Sequence, residues 1–232
     1  MTTPSSPNLT SGQLEALRRI DSPTIANAIE TFDVRDPTDG FASLELRCMF
    51  PDLAPVVGWA ITCTADSASP GKHRPSQDAA FYAAIRNAPK PTIVVMKDAG
   101  PNRLRSCHAG DVMSTLFQRL GAVAVITDGG VRDLAGVRQR APGFQMFAHG
   151  VVVAHGVPTI LEVGVTVSIC SLTIRPGDLL HGDANGLVSI PLAIADRVAA
   201  QAEKVWQTER EEIEFIKSPE FALESLAARW GW

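Results

Sequence analysis

Three charged side chains stand in two turns of this chain, at positions where a fold of helices and strands can bind an ion. Asp111 follows Gly110 at the start of an amphipathic segment, and twenty residues later Arg132 and Asp133 stand side by side. Helix starts and strand ends are where a sheet protein can hold an anion or a metal ion. These two turns are therefore the first candidate for a functional site.

The segment between the two turns has the pattern of a helix followed by a buried strand. Apolar residues recur at the spacing i, i+1, i+4, i+5 and i+8, which draws one face of a helix: Val112, Met113, Leu116, Phe117 and Leu120. Residues 122–126 are uniformly apolar and partly β-branched, as in a strand buried on both faces. The pattern predicts a helix that begins at Asp111 and a strand that leads into the turn at Arg132 and Asp133.

Further elements are predicted around this unit. The helical segments are 13–32 (interrupted at Asp21-Ser22-Pro23, a capping sequence), 78–87, 134–140, 193–216 and 220–230. The strand segments are 44–50, 56–64 and 92–96, several short strands over 144–153 and 159–174, and a hairpin turning at Asn185-Gly186. A polar loop over 66–77 is a candidate lid. This order of helices and short strands favours an α/β fold with a mixed sheet.

Length and composition favour one domain. The chain has 232 residues, 45% of them hydrophobic and 20% charged, which is the size and balance of a single α/β domain. We predict a flexible arm over 1–12, rich in Ser, Thr and Pro, and a single domain over 13–232 that includes C-terminal helices from about residue 193. The apolar tail, which ends at Trp230 and Trp232, is expected to pack on the domain or on a neighbour.

Charge and hydropathy exclude several classes of function. The net charge is −4 and there is no basic run, so nucleic-acid binding is not predicted. No apolar run of about 18 residues and no apolar N-terminal segment occur, so neither a membrane span nor secretion is predicted. The four cysteines stand singly, without CxxC spacing, which favours reduced thiols. The sequence therefore predicts a cytoplasmic protein.

The pattern of Asp111, twenty residues, then Arg132-Asp133 resembles the Asp-x20-Arg-Asp signature of the 4-hydroxy-4-methyl-2-oxoglutarate aldolase family. That family shares its fold with the regulator of ribonuclease activity A. The resemblance extends to the residues that flank both turns and to the segments 175–178 and 183–191. It covers most of the chain and is more specific for the superfamily than for the substrate.

The resemblance implies a fold and an assembly. The expected fold is α/β, a single-domain β/β/α swivelling-type (RraA-like) fold with a mixed sheet and a C-terminal helical extension. The expected assembly is a homotrimer or a homohexamer with the active site near a subunit boundary. In the family resembled, a glutamate from a neighbouring subunit's C-terminal region approaches the metal. Glu203, Glu209 and Glu212 lie in that region here, and none of them is singled out.

The resemblance also implies a role for each residue of the two turns. Asp133 would bind Mg²⁺ or Mn²⁺, because such hard cations take few protein carboxylates and keep several waters. Arg132 would bind the substrate carboxylate and the enolate that develops from it. Asp111 would hold a metal-bound water or orient Arg132. A small-molecule 2-oxo acid is the implied partner.

The start of the predicted helix completes the implied substrate site. The backbone N–H groups of Val112 and Met113 would bind the carboxylate of the 2-oxo acid, and Gly110 would belong to the same substrate site. The implied activity is that of a class II-type pyruvate aldolase, which cleaves a 4-hydroxy-2-oxo acid such as 4-hydroxy-4-methyl-2-oxoglutarate to pyruvate. Oxaloacetate decarboxylation is the expected side activity because it passes through the same enolate. The alternative is a non-catalytic regulator that binds a partner protein.

Plainer interpretations stand beside this one. An Asp at a helix start is usually a cap, and an Arg-Asp pair is often a solvated ion pair, so only the joint pattern favours a functional site. Lys97, at the end of a predicted strand, offers a metal-free mechanism through a Schiff base if it is desolvated. Among five histidines without the i, i+4 spacing of a zinc site, His108 and His181 are those placed to contact a substrate.

Overall fold

The computed structural model describes residues 9–71 and 74–231. Its helices are α1 Ser11–Arg18, α2 Ser22–Glu30, α3 Asp78–Asn87, α4 Asp111–Arg119, α5 Leu134–Arg140, α6 Ala195–Lys217 and α7 Leu223–Trp230. Its strands are β1 Arg47–Cys48, β2 Val56–Asp66, β3 Thr92–Asp98, β4 Cys107–Ala109, β5 Ala122–Thr127, β6 Gly130–Val131, β7 Gln145–Ala148, β8 Gly150–Val151, β9 Thr159–Val163, β10 Val167–Ile169, β11 Leu172–Ile174, β12 Leu179–Asp183 and β13 Gly186–Ile190.

The first two helices are separated where the sequence predicted a cap. The Asp21 carboxylate accepts the Thr24 N–H at 3.0 Å, and Pro23 occupies the first turn of α2, where its missing N–H is not needed. The flexible arm predicted over 1–12 is wrong for residues 10–12, because Thr10 caps α1 and residues 11–12 belong to that helix. Residues 1–8 lie outside the described residues.

The main sheet is mixed, as predicted. Its strand order is β1-β7-β5-β3-β2-β12-β13, with β9 paired to the far end of β2. The neighbours β2, β3, β5 and β7 are parallel, whereas β1, β9, β12 and β13 pair antiparallel. Val94 and Val95 of β3 are buried on opposite faces, in different apolar clusters. This arrangement explains why the central parallel strands read as uninterrupted apolar runs.

Two groups of helices pack on one face of this sheet, and β10 and β11 pack on the opposite face. Phe81 of α3, Phe117 of α4 and Val137 of α5 pack in one cluster with β3 and β5. The helices α1, α2 and α6 form another cluster with β2, β12 and β13. The second cluster accounts for the long C-terminal helix, because the first turns of α6 bury Val198 and Ala202 in it.

The strand predicted over 44–50 is wrong for most of its length. Only Arg47 and Cys48 pair with β7, and Leu44 is 98% exposed. A turn closes before that pairing, since the Leu46 N–H donates to the Ser43 carbonyl at 3.0 Å. The segment has the alternating pattern of a strand, but most of it has no neighbouring strand with which to pair.

The hairpin predicted at Asn185-Gly186 is confirmed as the turn between β12 and β13. The Asp183 carboxylate accepts the Asn185 N–H at 2.8 Å, and Gly186 adopts a φ of +131° that side chains rarely tolerate. The predicted loop after β2 is also present. The Asp66 carboxylate is held there by Ser69 and Arg74, while Lys72 and His73 of that loop lie outside the described residues.

The C-terminal helices form a hairpin beyond the sheet. The Trp230 indole N–H donates to Glu212 at 3.1 Å, and the rings of Phe215 and Phe221 are 5.9 Å apart. The apolar tail thus packs on α6, as expected, although Trp230 stays 55% exposed and Trp232 lies outside the described residues. None of the helices in the described part of the chain is both long and apolar enough to span a membrane.

His181 ties the first helices to the sheet and does not reach the candidate site. Its imidazole is fully buried in β12, with Nε2 3.1 Å from the Leu17 carbonyl and Nδ1 2.9 Å from the Ser22 hydroxyl. A carbonyl only accepts, so Nε2–H donates to Leu17 and Nδ1 accepts from Ser22. Burial lowers the pKa of His181, and the native ring is therefore neutral.

We expect this neutral ring to make folding stability dependent on pH. In the unfolded chain the imidazole binds a proton near pH 6.5, so stability rises with pH through that value and is lost below it. Between pH 7.5 and 5.5 the loss is about 1.4 kcal/mol at most from this group. Urea unfolding at the two pH values measures it, with His181→Gln as the comparison. Equal pH dependence in the two proteins would contradict the assignment.

Candidate active site

A short three-stranded parallel sheet, β4-β6-β8, brings the two turns together. Cys107 lies opposite Gly130 and Ala109 opposite Val131 in the pairing of β4 with β6. The Arg132 N–H then donates to the Ala109 carbonyl at 3.0 Å, immediately before Gly110. The two turns that the sequence placed twenty residues apart are therefore neighbours.

Gly110 is needed at this junction because the chains approach closely. A Cβ at this position would lie 2.7 Å from Asp133 Oδ2 and 3.1 Å from Arg132 Cγ. The backbone itself is extended, with a φ of −139°, so glycine is not required by backbone conformation. The glycine instead leaves the space in which the Asp133 carboxylate sits.

Asp133 adopts a conformation that is unusual for a side-chain-bearing residue. Its φ of +57° places it in the left-handed region just before α5, and its carboxylate does not cap that helix. Arg132 Nε lies 3.1 Å from Asp133 Oδ2, and the Asp133 side chain is 37% exposed. Residues in such backbone conformations often serve a site rather than the fold. The described residues supply no hydrogen bond to this carboxylate beyond the Arg132 ion pair, so it can accept a further partner.

Asp111 is held by a residue that the sequence analysis missed. Its carboxylate forms an ion pair with Arg140 at the end of α5, not with Arg132. Arg140 follows Asp133 by seven residues, two helical turns, which was the only sequence signal for it. Because Asp111 does not contact Arg132, the remaining predicted role for Asp111 is to hold a metal-bound water.

One of the two predicted backbone donors at the start of α4 is free. The Val112 N–H already donates to Asp111 Oδ1 at 2.8 Å. The Met113 N–H has no acceptor among the described residues, while Gly110 contributes its carbonyl to the helix through the Ser114 N–H. An anion at this helix start would therefore meet Met113 first.

A cavity of about 130 Å³ opens beside these residues, and Gly110, Asp111, Val112, Met113 and Arg132 all line it. It lies at the carboxyl ends of β2 and β3, the edge at which open α/β sheets bind ligands. Drug-sized ligands occupy cavities of about 300–1,000 Å³, so this one suits a small molecule. Asp133 contacts Arg132 and approaches Gly110 without lining the cavity itself.

The remaining walls come from residues that the sequence analysis had not selected. They include Asp78 and Tyr82, one turn apart on α3, and Cys107, His155 and Ile160. Burial raises the pKa of the Cys107 thiol and of the Tyr82 hydroxyl, so both are neutral at neutral pH. Apart from Arg132, the permanent charges on the lining are the carboxylates of Asp78 and Asp111.

The other candidates are placed differently. Lys97 pairs with the buried Asp128 carboxylate and is not part of the cavity lining. His108 does line the cavity, whereas His181 is enclosed by α1, α2 and β12. A larger cavity of about 540 Å³ lies at the opposite ends of the parallel strands, near Val57 and Val123. That larger cavity is lined by the Arg18–Glu15 ion pair and by none of the residues of the two turns, so volume does not locate the site.

The donor set fits a hard divalent cation held by few protein ligands. Within residues 9–71 and 74–231, no three His, Cys, Asp or Glu side chains stand together as a metal cage. One carboxylate from Asp133, with waters completing the shell and Asp111 nearby, matches what Mg²⁺ accepts. A zinc-type site, which needs three or four nitrogen or sulfur ligands, is not matched by these residues.

The sequence and the fold of this chain are similar to those of known proteins. A relative from Halalkalibacterium halodurans, provisionally named 4-hydroxy-4-methyl-2-oxoglutarate aldolase, is 33% identical over 115 residues, which are 49% of this chain and 53% of that protein. The chain thus spans about half the length of this curated relative.

Two solved structures share the fold. An uncharacterised protein from Pseudomonas syringae has a TM-score of 0.72 and 24% identity, with full coverage of both chains. RraAS2 from Streptomyces coelicolor, described as an unusual member of the RNase ES inhibitor RraA family, has a TM-score of 0.66 and 21% identity over 88% of this chain and 96% of that one. The family model described as RraA-like, aldolase/RraA, matches residues 23–189, and the chain therefore belongs to the RraA-like family.

Proposed function

We propose that the protein is a divalent-metal-dependent lyase that cleaves a 4-hydroxy-2-oxo acid to pyruvate and a carbonyl product. The observation that carries this proposal is the meeting of Arg132, Asp133 and the start of α4 beside one small cavity. Oxaloacetate decarboxylation is the proposed side activity because loss of CO₂ leaves the same enolate. The name of the Halalkalibacterium relative supports this class of reaction.

Arg132 and the start of α4 would bind the anionic end of the substrate. The Arg132 guanidinium is a planar fork that matches a carboxylate, and Asp133 fixes it through Nε. The Met113 N–H adds a donor at the positive end of the helix dipole. These groups would also face the former keto oxygen as negative charge develops there, which is the condition for stabilising the transition state.

Asp133 would hold the metal, and Asp111 would bind one of its waters. Mg²⁺ or Mn²⁺ in this place would supply Lewis acidity toward the keto group of the substrate. Asp133 must carry this role while paired with Arg132, and Asp111 while paired with Arg140, so each carboxylate already has one positive neighbour. With Asp78 on the cavity wall, three carboxylates stand against two guanidiniums, so the free site keeps a net negative charge that favours a cation.

We also propose the homotrimer or homohexamer and the cytoplasmic location that the family resemblance implies. Exposed valines beside the site support a covering neighbour: Val112 is 73% exposed, and Val151 and Val153 on and after β8 are 59% and 96% exposed. Exposed apolar side chains near a site are candidates for the contact surface of such a neighbour.

Replacement of Asp133 by Asn is expected to abolish metal-dependent pyruvate release. Loss of the metal ligand should lower kcat/KM for oxaloacetate with Mg²⁺ by at least about 100-fold, because Lewis-acid stabilisation amounts to several kcal/mol. Pyruvate is measured with and without Mg²⁺. Asp196→Asn, on the exposed side of α6, is the matched control and should retain full activity. If no 2-oxo acid yields pyruvate with the native protein, the regulator that binds a partner protein becomes the better hypothesis.

Replacement of Gly110 by Ala is expected to impair catalysis more than stability. The new methyl group would displace Asp133 and Arg132, whereas the extended backbone accepts alanine. Gly110 is buried, but the Arg132 and Asp133 side chains that the methyl group meets are partly exposed, so overpacking should lower the free energy of unfolding by no more than about 1–3 kcal/mol. Activity and urea unfolding are both measured, with Gly150→Ala as the control because open space surrounds that glycine. Unchanged activity would mean that the close approach at Gly110 has no catalytic purpose.

A chelator and borohydride separate this mechanism from the Schiff-base alternative. Lys97 is paired with Asp128 outside the cavity, so we expect borohydride with pyruvate to leave no covalent adduct. EDTA should remove the activity, and added Mg²⁺ should restore it. Mass spectrometry of the intact protein detects any adduct. A pyruvyl adduct at Lys97, with activity that survives EDTA, would replace the metal mechanism.

A further inference from the structure

A buried histidine–aspartate pair adjoins the cavity and has no role in the function proposed so far. His108 lies in β4 and lines the cavity, and its Nε2 is 2.8 Å from Oδ2 of Asp98 at the end of β3. The two side chains are only 2% and 1% exposed. An ionisable pair this deeply buried is costly unless it is fully hydrogen-bonded, and such pairs concentrate at functional sites.

The partners of Asp98 fix the tautomer of His108. Burial raises the pKa of Asp98, but hydrogen bonds from His108 and Ser106 outweigh burial and hold that pKa below its usual value. The carboxylate is therefore ionised and can only accept, so the His108 proton lies on Nε2. In the neutral ring Nδ1 then carries a free lone pair, which is the arrangement of an imidazole base oriented by a carboxylate.

Gly129 locks the ring in this orientation. A Cβ at Gly129 would lie 2.8 Å from His108 Cδ2 and 3.0 Å from Nε2, so the turn before β6 packs directly on that edge of the ring. The opposite edge of the ring, which carries Nδ1, therefore points away from Gly129 and Asp98. Packing from one side and a hydrogen bond from another hold the ring in place, as a proton-transfer group requires.

We propose that His108 is the catalytic base and acid of the carbon–carbon cleavage and that Asp98 is its positioning residue; this inference rests on the proposed lyase function. Nδ1 takes the proton of the substrate's 4-hydroxyl group, the C3–C4 bond breaks, and C4 leaves as a carbonyl. The electron pair of the broken bond becomes the pyruvate enolate. The imidazolium then returns the same proton to C3, which completes pyruvate and restores the neutral histidine.

His155 is the rival for this role. It also lines the cavity, and its Nδ1 donates to the Gly156 carbonyl at 2.8 Å, which leaves Nε2 free to accept. His155 is exposed, however, and no carboxylate in the described residues orients it. A buried imidazole with a charged partner is the better proton-transfer group of the two, because its geometry is fixed before the substrate arrives.

Two reactions of the same enzyme separate proton transfer from a structural role. Cleavage of 4-hydroxy-2-oxopentanoate needs removal of a hydroxyl proton, whereas decarboxylation of oxaloacetate does not, although both pass through the same enolate. We expect His108→Asn to lower kcat for the hydroxy acid by about 10²–10⁴-fold and kcat for oxaloacetate by less than about tenfold. Asp98→Asn should show the same split, because His108 then loses the carboxylate that keeps its proton on Nε2. His149→Asn, at a histidine outside the cavity lining, is the matched control and should lower neither.

A second measurement does not need the hydroxy acid. The native enzyme with Mg²⁺ should exchange the methyl protons of pyruvate in D₂O, followed by proton NMR, and His108→Asn should slow that exchange by a similar factor. An equal loss of both reactions in the folded His108 variant, or a split that appears in His155→Asn instead, would overturn the assignment of His108. Native protein that releases pyruvate from neither substrate would instead remove the proposed function itself, so the two failures are distinguishable.

Discussion

The site depends on one short piece of parallel pairing, in which β6 lies beside β4 and the Arg132 N–H reaches the Ala109 carbonyl. Two-residue strands have little intrinsic stability, so this pairing persists because α4, β5 and α5 hold both ends of it. The same hydrogen bond sets how far Asp133 stands from the start of α4. A shift of one residue in this register would turn the arginine away from the cavity, since successive residues of a strand face opposite sides.

The electrostatics of the site follow from the two helix starts that meet there. Asp111 begins α4 and Asp133 precedes α5, so each carboxylate lies where the helix dipole favours negative charge. Arg132 and Arg140 then compensate the carboxylates one by one. Asp133 does not cap α5, and its left-handed backbone conformation is strained. Its placement therefore lowers the stability of the fold. This is the kind of local exception that sequences retain where a site needs it.

Much of this architecture was predictable, and the failures have physical causes. The helices at 78–87 and 134–140 match their predicted bounds, because apolar spacing and turn residues agree over a full element. The small sheet that unites the two turns was not predicted, since strands of two or three residues carry no periodicity. Arg140 was missed because its partner is chosen by tertiary packing of α5 on α4. Asp111 and Asp133 were found only through their joint spacing, and their roles remain proposals.

Two separately supported groups of residues line the cavity. The groups that would touch the carboxylate and keto end of a substrate belong to β4, β6 and the adjoining helix starts, whereas Tyr82, Pro158 and Ile160 come from α3 and the segment around β9. These two sets have separate supports, since β9 is anchored to β2 in the large sheet. Drift in the second set can therefore reshape the space for the departing fragment without disturbing the first. For the proposed lyase, substitutions in the second set would change which leaving group fits, while the residues at the carboxylate and keto end stay the same.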